Sequence, residues 1–256
     1  MPADGLHLAI DGATARLTIC RPAKFNAMSR AMWRELAEAV AALATRAEVR
    51  VLVVAGEGAH FCAGGDIAEY PGFRFDEASL RDFHEREVWG GLSALLACDK
   101  PVIAQIDGHC MGAGVEIASC CDIRVASTSA RFGAPIARLG FPMAPREAEL
   151  VAREAGLATA REMLLQAAVL DAPTMLARGF LHAVVPEAAL ADEVLTRARR
   201  MAELSPEAAR LNKQTLRALA AGISADALVD RAYEYAGHAE HREGIAAFLD
   251  KRTPAF

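Results

Sequence analysis

Glu116 closes the stretch Gly108-His-Cys-Met-Gly-Ala-Gly-Val-Glu116, in which Gly108, Gly112 and Gly114 punctuate a turn. The apolar run Pro101 to Ile106 before it reads as a buried strand, and the Ala/Val/Ile-rich segment after it, ending near Cys120, as a helix. A strand, a glycine turn and a helix start together present free backbone N–H groups to a negative oxygen. Glu116, in the first helical turn, adds a carboxylate able to move a proton. A second glycine turn after a strand, Phe61-Cys-Ala-Gly-Gly-Asp66, repeats the device. One N–H from Gly64-Gly65 and one from Gly112-Ala113-Gly114 would hold the oxygen of a carbonyl that becomes an enolate, each worth roughly 3–4 kcal/mol in such sites.

Each of these signals has a plainer reading. Either turn alone reads more readily as the tight connection of a packed strand–helix unit, and a glutamate in a first helical turn, without flanking motifs, as a charge favoured by the helix dipole. The dipole lowers such a carboxyl's pKa and burial raises it, so the two act against each other. A dinucleotide site is disfavoured, because the glycines do not form G-x-G-x-x-G and lie mid-chain. Asp66 reads as the cap of the following helix, and Asp122 as the tie of a turn or the partner of a nearby cation. His60, His84 and His109 lack ligand spacing, so no metal is expected. Ser119, Ser127 and Ser129 lack a nucleophile-elbow context, and the Arg197–Arg200 cluster reads as a solvated helix face.

The elements that must position these residues alternate. Leu6–Ile10 and Thr14–Cys20 flank Asp11-Gly12 as a hairpin. Ser29 is the expected cap of a helix with Met32, Leu36, Val40 and Leu43 on one face. Val49–Ala55 reads as a parallel-type strand, 70–76 as a connector, and Glu77–Cys98 as one long helix. Strands at Cys121–Ala126 and Arg131–Gly133 follow. This alternation predicts a layered α/β sheet. Beyond Pro145 the chain reads as helices at 146–154, 158–167, 174–178, 187–204, 206–221 and 225–250, with one strand at Val184-Val185. The expected division is an α/β core over 1–190 and a helical part over 191–256.

The 256 residues, with a net charge of −5, carry no basic footprint for nucleic acid and no apolar run long enough to span a membrane. Met1 to Gly5 shows no leader pattern. Six cysteines without C-x-x-C spacing read as reduced, buried thiols of a cytoplasmic protein.

Six ordered segments decide among these readings: Arg21-Pro-Ala-Lys-Phe-Asn-Ala-Met28, Phe61 to Asp66, Lys100 to Ala104, Gly108 to Asp122, Phe132-Gly-Ala-Pro135, and Glu243-Gly-Ile-Ala-Ala-Phe248 with Lys251-Arg252 and Phe256. Together they resemble the enoyl-CoA hydratase/isomerase (crotonase) family along nearly the whole chain. The resemblance implies a β-β-α spiral with a helical C-terminal trimerisation region, assembled as a homotrimer or pair of trimers, and an acyl-CoA ligand with no further cofactor. It implies the N–H groups of Gly65 and Ala113 as oxyanion donors and Glu116 as acid/base. It implies Lys24, Phe25, Ala27, Ala63, Asp66, Ile67, Gly112, Ile136 and Lys251 around the ligand, Lys251 toward a neighbouring subunit's.

The family's hydratases carry a second glutamate directly after the Phe132-to-Pro135 motif, where this chain has Ile136. Three readings follow. Glu116 works alone or with Glu147, Glu149 or His84, the last on the long helix expected over the acyl pocket, in hydration or double-bond proton transfer. Or the chain runs another reaction of the family through the same enolate. Or it binds acyl-CoA without turning it over.

Overall fold

A computed structural model describes residues 4–256. The reading of Met1–Gly5 rests in part on Met1, Pro2 and Ala3, which lie outside the described residues. In chain order the described elements begin with β1 (Gly5–Asp11), β2 (Thr14–Cys20), α1 (Arg30–Ala44), β3 (Val51–Gly56), α2 (Glu77–Asp82) and α3 (Trp89–Ala97). Next come β4 (Val102–Ile106), β5 (His109–Met111), α4 (Ala113–Ser119), β6 (Ile123–Ser127) and β7 (Arg131–Gly133). Then follow α5 (Pro145–Ala155), α6 (Leu157–Leu165), β8 (Val169–Asp171), α7 (Ala172–Ala177), β9 (Ala183–Val185), α8 (Leu190–Ala202), α9 (Pro206–Ala220) and α10 (Ala239–Leu249).

The expected α/β architecture is present as two sheets. One runs β1-β2-β3-β4-β6-β9, parallel after the opening hairpin, and the other runs β5-β7-β8. Asp11 pairs with Thr14 around Gly12, whose φ of +55° suits a residue without Cβ. That turn sets the register Leu6 to Ile19 and Leu8 to Leu17, which puts Ala15, Leu17 and Ile19 into the core. The Ser29 side chain accepts the N–H of Met32, starting α1 where expected, and Met32, Trp33, Leu36, Val40 and Leu43 are buried.

β3 is apolar throughout, and β4 is apolar except for Gln105, whose Oε1 accepts from Arg16, because both faces of the sheet are covered. Leu52 and Val54 join the large core under α1 and α3. Val51, Val53, Ile103 and Val125 pack instead with Leu190, Val194 and Ala198 of α8. Each such aliphatic side chain buried contributes roughly 1.5–3 kcal/mol. The helix that begins at residue 190 therefore completes the second face of the main sheet.

Four regions differ from the sequence expectation. His109–Met111 and Val169–Asp171 are strands, not turn or loop; they pair with β7, a partner distant in sequence that local pattern does not reveal. The helix expected over Glu77–Cys98 is continuous but carries a π-helical turn over Phe83–Val88. The segment expected as helix over 225–250 divides into 3-10 turns at Ala225–Arg231 and Glu234–Gly237, followed by α10.

Candidate active site

The two glycine turns are stitched to each other. Cys62 N–H donates to His109 O at 2.8 Å, and Met111 N–H donates to Cys62 O at 2.8 Å. Gly112 N–H then donates to Gly133 O at 2.8 Å, so β7 fixes the second turn. On the other side Met28 N–H donates to Gly64 O and Asp66 N–H to Met28 O, both at 2.8 Å, which fixes the first. The close approach requires glycine at two points. A Cβ on Gly114 would stand 2.6 Å from Cys62 O, and one on Gly65 would stand 2.3 Å from the Tyr70 hydroxyl oxygen. The N–H of Gly65 takes no backbone acceptor among the described residues. The N–H of Ala113 lies in the unsatisfied first turn of α4.

Gly65 and Ala113 both line a cavity of about 290 Å³, together with Ala63, Ile67, Gly112, Glu116 and Ile136. Its remaining lining is mostly apolar: Trp33, Phe83, Val88, Met111, Leu139, Phe141, Pro142 and Met143. The polar exceptions besides Glu116 are Tyr70, Arg74, His84, Arg138 and Glu147. Glu116 is only 7 % exposed, and its carboxyl has no hydrogen-bond partner among the described residues. Burial, reinforced by the nearby charge of Glu147, pushes its pKa well above the ordinary carboxyl value. In the contest between dipole and burial, burial wins, because Glu116 is enclosed by core residues rather than solvated at an exposed helix end.

Glu147 stands in the first turn of α5, which Pro145 opens. It is 3 % exposed, and His84 Nδ1 lies 2.7 Å from its Oε1. The Arg74 guanidinium, which can only donate, is 3.4 Å from His84 Nε2. That ring nitrogen therefore accepts, and Nδ1 carries the hydrogen given to Glu147. Arg74 itself sits 3.8 Å from the Phe141 ring centre and 4.5 Å from that of Tyr70. The π-helical turn puts His84 on the inner side of the long helix. Burial pushes the Tyr70 phenol up to about 12, so it remains a hydrogen-bond donor near neutrality.

Of the partners weighed for Glu116, the structure brings Glu147 and His84 to the cavity and leaves Glu149 exposed outside it. The residues expected around the ligand divide likewise. Ala63, Ile67, Gly112 and Ile136 line the cavity; Lys24, Phe25, Ala27, Asp66 and Lys251 do not. Asp66 is occupied: its carboxylate accepts from Lys24 at 2.8 Å and Arg21 at 2.9 Å, and its Oδ1 accepts the Ala68 N–H as helix cap. Burial pushes this carboxyl up, but those bonds outweigh it and hold it below its ordinary value. Phe25 is exposed and packs edge-on against His60 and His109. Ala27 is buried, and its carbonyl accepts from Arg21. Lys251 is exposed near the C-terminus. Tyr70, Arg74 and Arg138 escaped the sequence reading. Tyr70 and Arg74 fall in a stretch without regular pattern, and an arginine one turn beyond a motif carries no local signal.

No group of His, Cys, Asp and Glu able to hold a metal ion occurs among the described residues, and no described helix is long and apolar enough to cross a membrane. The enoyl-CoA hydratase/isomerase family model matches residues 9–256. The chain is 34% identical over 245 residues to the 2,3-dehydroadipyl-CoA hydratase of Escherichia coli, covering 94% of this chain and 93% of that one. It is 32% identical over 247 residues to a probable enoyl-CoA hydratase of Mycobacterium tuberculosis, with the same coverage. Among solved structures, an enoyl-CoA hydratase/carnithine racemase from Magnetospirillum magneticum superposes with a TM-score of 0.95 at 35% identity, over 100% of this chain and 96% of that one. A match of this extent, joined to two stitched glycine turns beside a buried glutamate, means that the chain belongs to the enoyl-CoA hydratase/isomerase family.

Proposed function

We propose that the protein adds water across the double bond of an enoyl-CoA thioester, with Glu116 and Glu147 sharing the proton transfers. The carrying observation is that these two buried carboxyl groups line one cavity with the turn amides of Gly65 and Ala113. The thioester oxygen accepts both N–H groups, which stabilise the enolate as charge moves onto it. Glu147, aligned by His84, takes a proton from a water as its oxygen bonds to the β-carbon. Glu116, whose carboxyl burial pushes well above its ordinary pKa, gives its proton to the α-carbon. Passing the proton from Glu147 back to Glu116 restores the starting state. In this arrangement Ile136 belongs to the apolar lining, and Glu147 takes the work of the absent glutamate. Two carboxyl groups whose environments differ are what an acid and a base acting in one step require.

Around this centre we place the coenzyme A portion of the substrate as the only cofactor-like group, with Lys24 and Phe25 toward its outer end. Exposed apolar side chains at Leu216, Leu219, Ile223, Ile245, Phe248 and Leu249 support a trimer formed through the C-terminal region, with Lys251 reaching a neighbouring subunit's ligand. Cys62, Cys110, Cys120 and Cys121 are free and buried, with pKa values pushed up chiefly by burial, which supports a reducing, cytoplasmic setting. The test is loss of crotonyl-CoA absorbance with purified protein. A steady fall that Glu116→Gln abolishes is expected. Flat absorbance with acyl-CoA still raising the melting temperature would reject turnover and leave a binding protein.

A further inference from the structure

Arg138 also lines the cavity, from the 3-10 turn Pro135–Leu139. Among the described residues nothing hydrogen-bonds to its guanidinium or pairs with it. Arg74, half-buried between Tyr70 and Phe141, likewise has no carboxylate within ion-pair distance; its contact is His84. The two guanidinium groups facing the cavity are held differently. Arg74 is linked through His84 to Glu147, so these two offset one another. Arg138 is left with no counter-charge, beside apolar lining from Ile67, Ile136, Leu139 and Pro142.

A guanidinium in this position offers a planar fork of donors that matches a carboxylate in two-point geometry. An alkyl acyl chain would give it no acceptor and would lie against an unanswered charge. An acyl chain that ends in a carboxylate would supply both the acceptor and the missing charge. From this unpaired guanidinium at an apolar wall we infer that the acyl group carries a second, distal carboxylate and that Arg138 selects it, with Arg74 adding positive field from the same cavity. This rests on the CoA-thioester reading above. An anionic oxygen could also come from the phosphates of coenzyme A itself, and the test separates the two sources.

The test is calorimetric binding of two saturated thioesters that the reaction cannot consume, adipoyl-CoA and hexanoyl-CoA. They share the coenzyme and the chain length and differ in the terminal group. The wild type should bind adipoyl-CoA about tenfold or more tightly than hexanoyl-CoA, the gain expected of one charge-assisted pair. Arg138→Gln should erase that preference and leave hexanoyl-CoA binding unchanged, and Arg138→Lys should keep part of it. Arg138 is exposed, so these changes do not threaten the fold. Equal affinity of the wild type for both thioesters would overturn the inference while leaving the CoA reading intact. So would a preference that survives Arg138→Gln. Equal weakening of both ligands by Arg138→Gln would assign the residue to a coenzyme phosphate and overturn it too. Failure of both ligands to bind at all would overturn both readings.

Discussion

One wall of the cavity, from Ala63, Gly64, Gly65, Gly112 and Ala113, belongs to the two glycine turns, and the other, from Pro135, Ile136, Arg138, Leu139, Phe141, Pro142 and Met143 with His84 and Glu147, is made by side chains. The first is locked from several sides by β7, Met28 and the backbone pairing of Cys62 with the strand at Cys110. It has little freedom, since a Cβ at Gly114 or Gly65 would collide with its neighbours. The second contains Ile136 where the family's hydratases carry a glutamate, and draws its carboxylate from Glu147 at the start of the next helix. Main-chain amides can be positioned only by the fold, so that wall keeps its sequence signature. A carboxylate can arrive from any element whose side chain reaches the same space, so the other wall can be rebuilt.

If this contrast is right, removing the protonated carboxyl has the largest effect. Glu116→Gln should lower hydration of crotonyl-CoA by about 10²–10⁴-fold with ligand affinity retained; undiminished turnover would remove Glu116 from the chemistry. Glu147→Gln should cost toward the lower end of that range, about 10²-fold, while the exposed Glu149→Gln leaves kcat within twofold of wild type (~2). Equal losses from both would dissolve the distinction between the two glutamates.

The backbone wall is tested by Gly114→Ala. Overpacking against Cys62 O should destabilise by about 1–3 kcal/mol, read as a shifted denaturant midpoint. Gly90→Ala, in α3 with open space around it, should instead stabilise by up to about 1 kcal/mol. Equal outcomes at the two glycines would mean that the turn is not close-packed.

The smallest expected effect is on the pH dependence of stability. The folded state raises the Glu116 pKa, so above the ordinary carboxyl value of 4.5 the native protein holds a proton that the unfolded chain has released. Its contribution is full below 4.5 and is lost as pH rises through the folded value, at up to about 1.4 kcal/mol per pH unit. Relative to Glu116→Gln, the wild type should therefore lose stability on going from pH 5 toward alkaline pH (~5 upward). Parallel curves for the two proteins would show that Glu116 is not buried as described.

Much of this molecule follows from local pattern. The Asp11-Gly12 hairpin, the Ser29 cap, the apolar faces of α1 and β3, both glycine turns and the helix-start position of Glu116 were all legible, because each depends on residues within a few positions of one another. The six ordered motifs carried the family for the same reason. Tertiary structure decided what depends on distant partners. It made strands of His109–Met111 and Val169–Asp171 by pairing them with β7, and it tied Asp66 to Arg21 and Lys24. It chose Glu147 over Glu149 by the face of α5 that turns inward, and it enclosed Glu116 so that desolvation outweighs the helix dipole. Periodicity and turn chemistry are properties of adjacent residues; the company a charge keeps is a property of the packed chain.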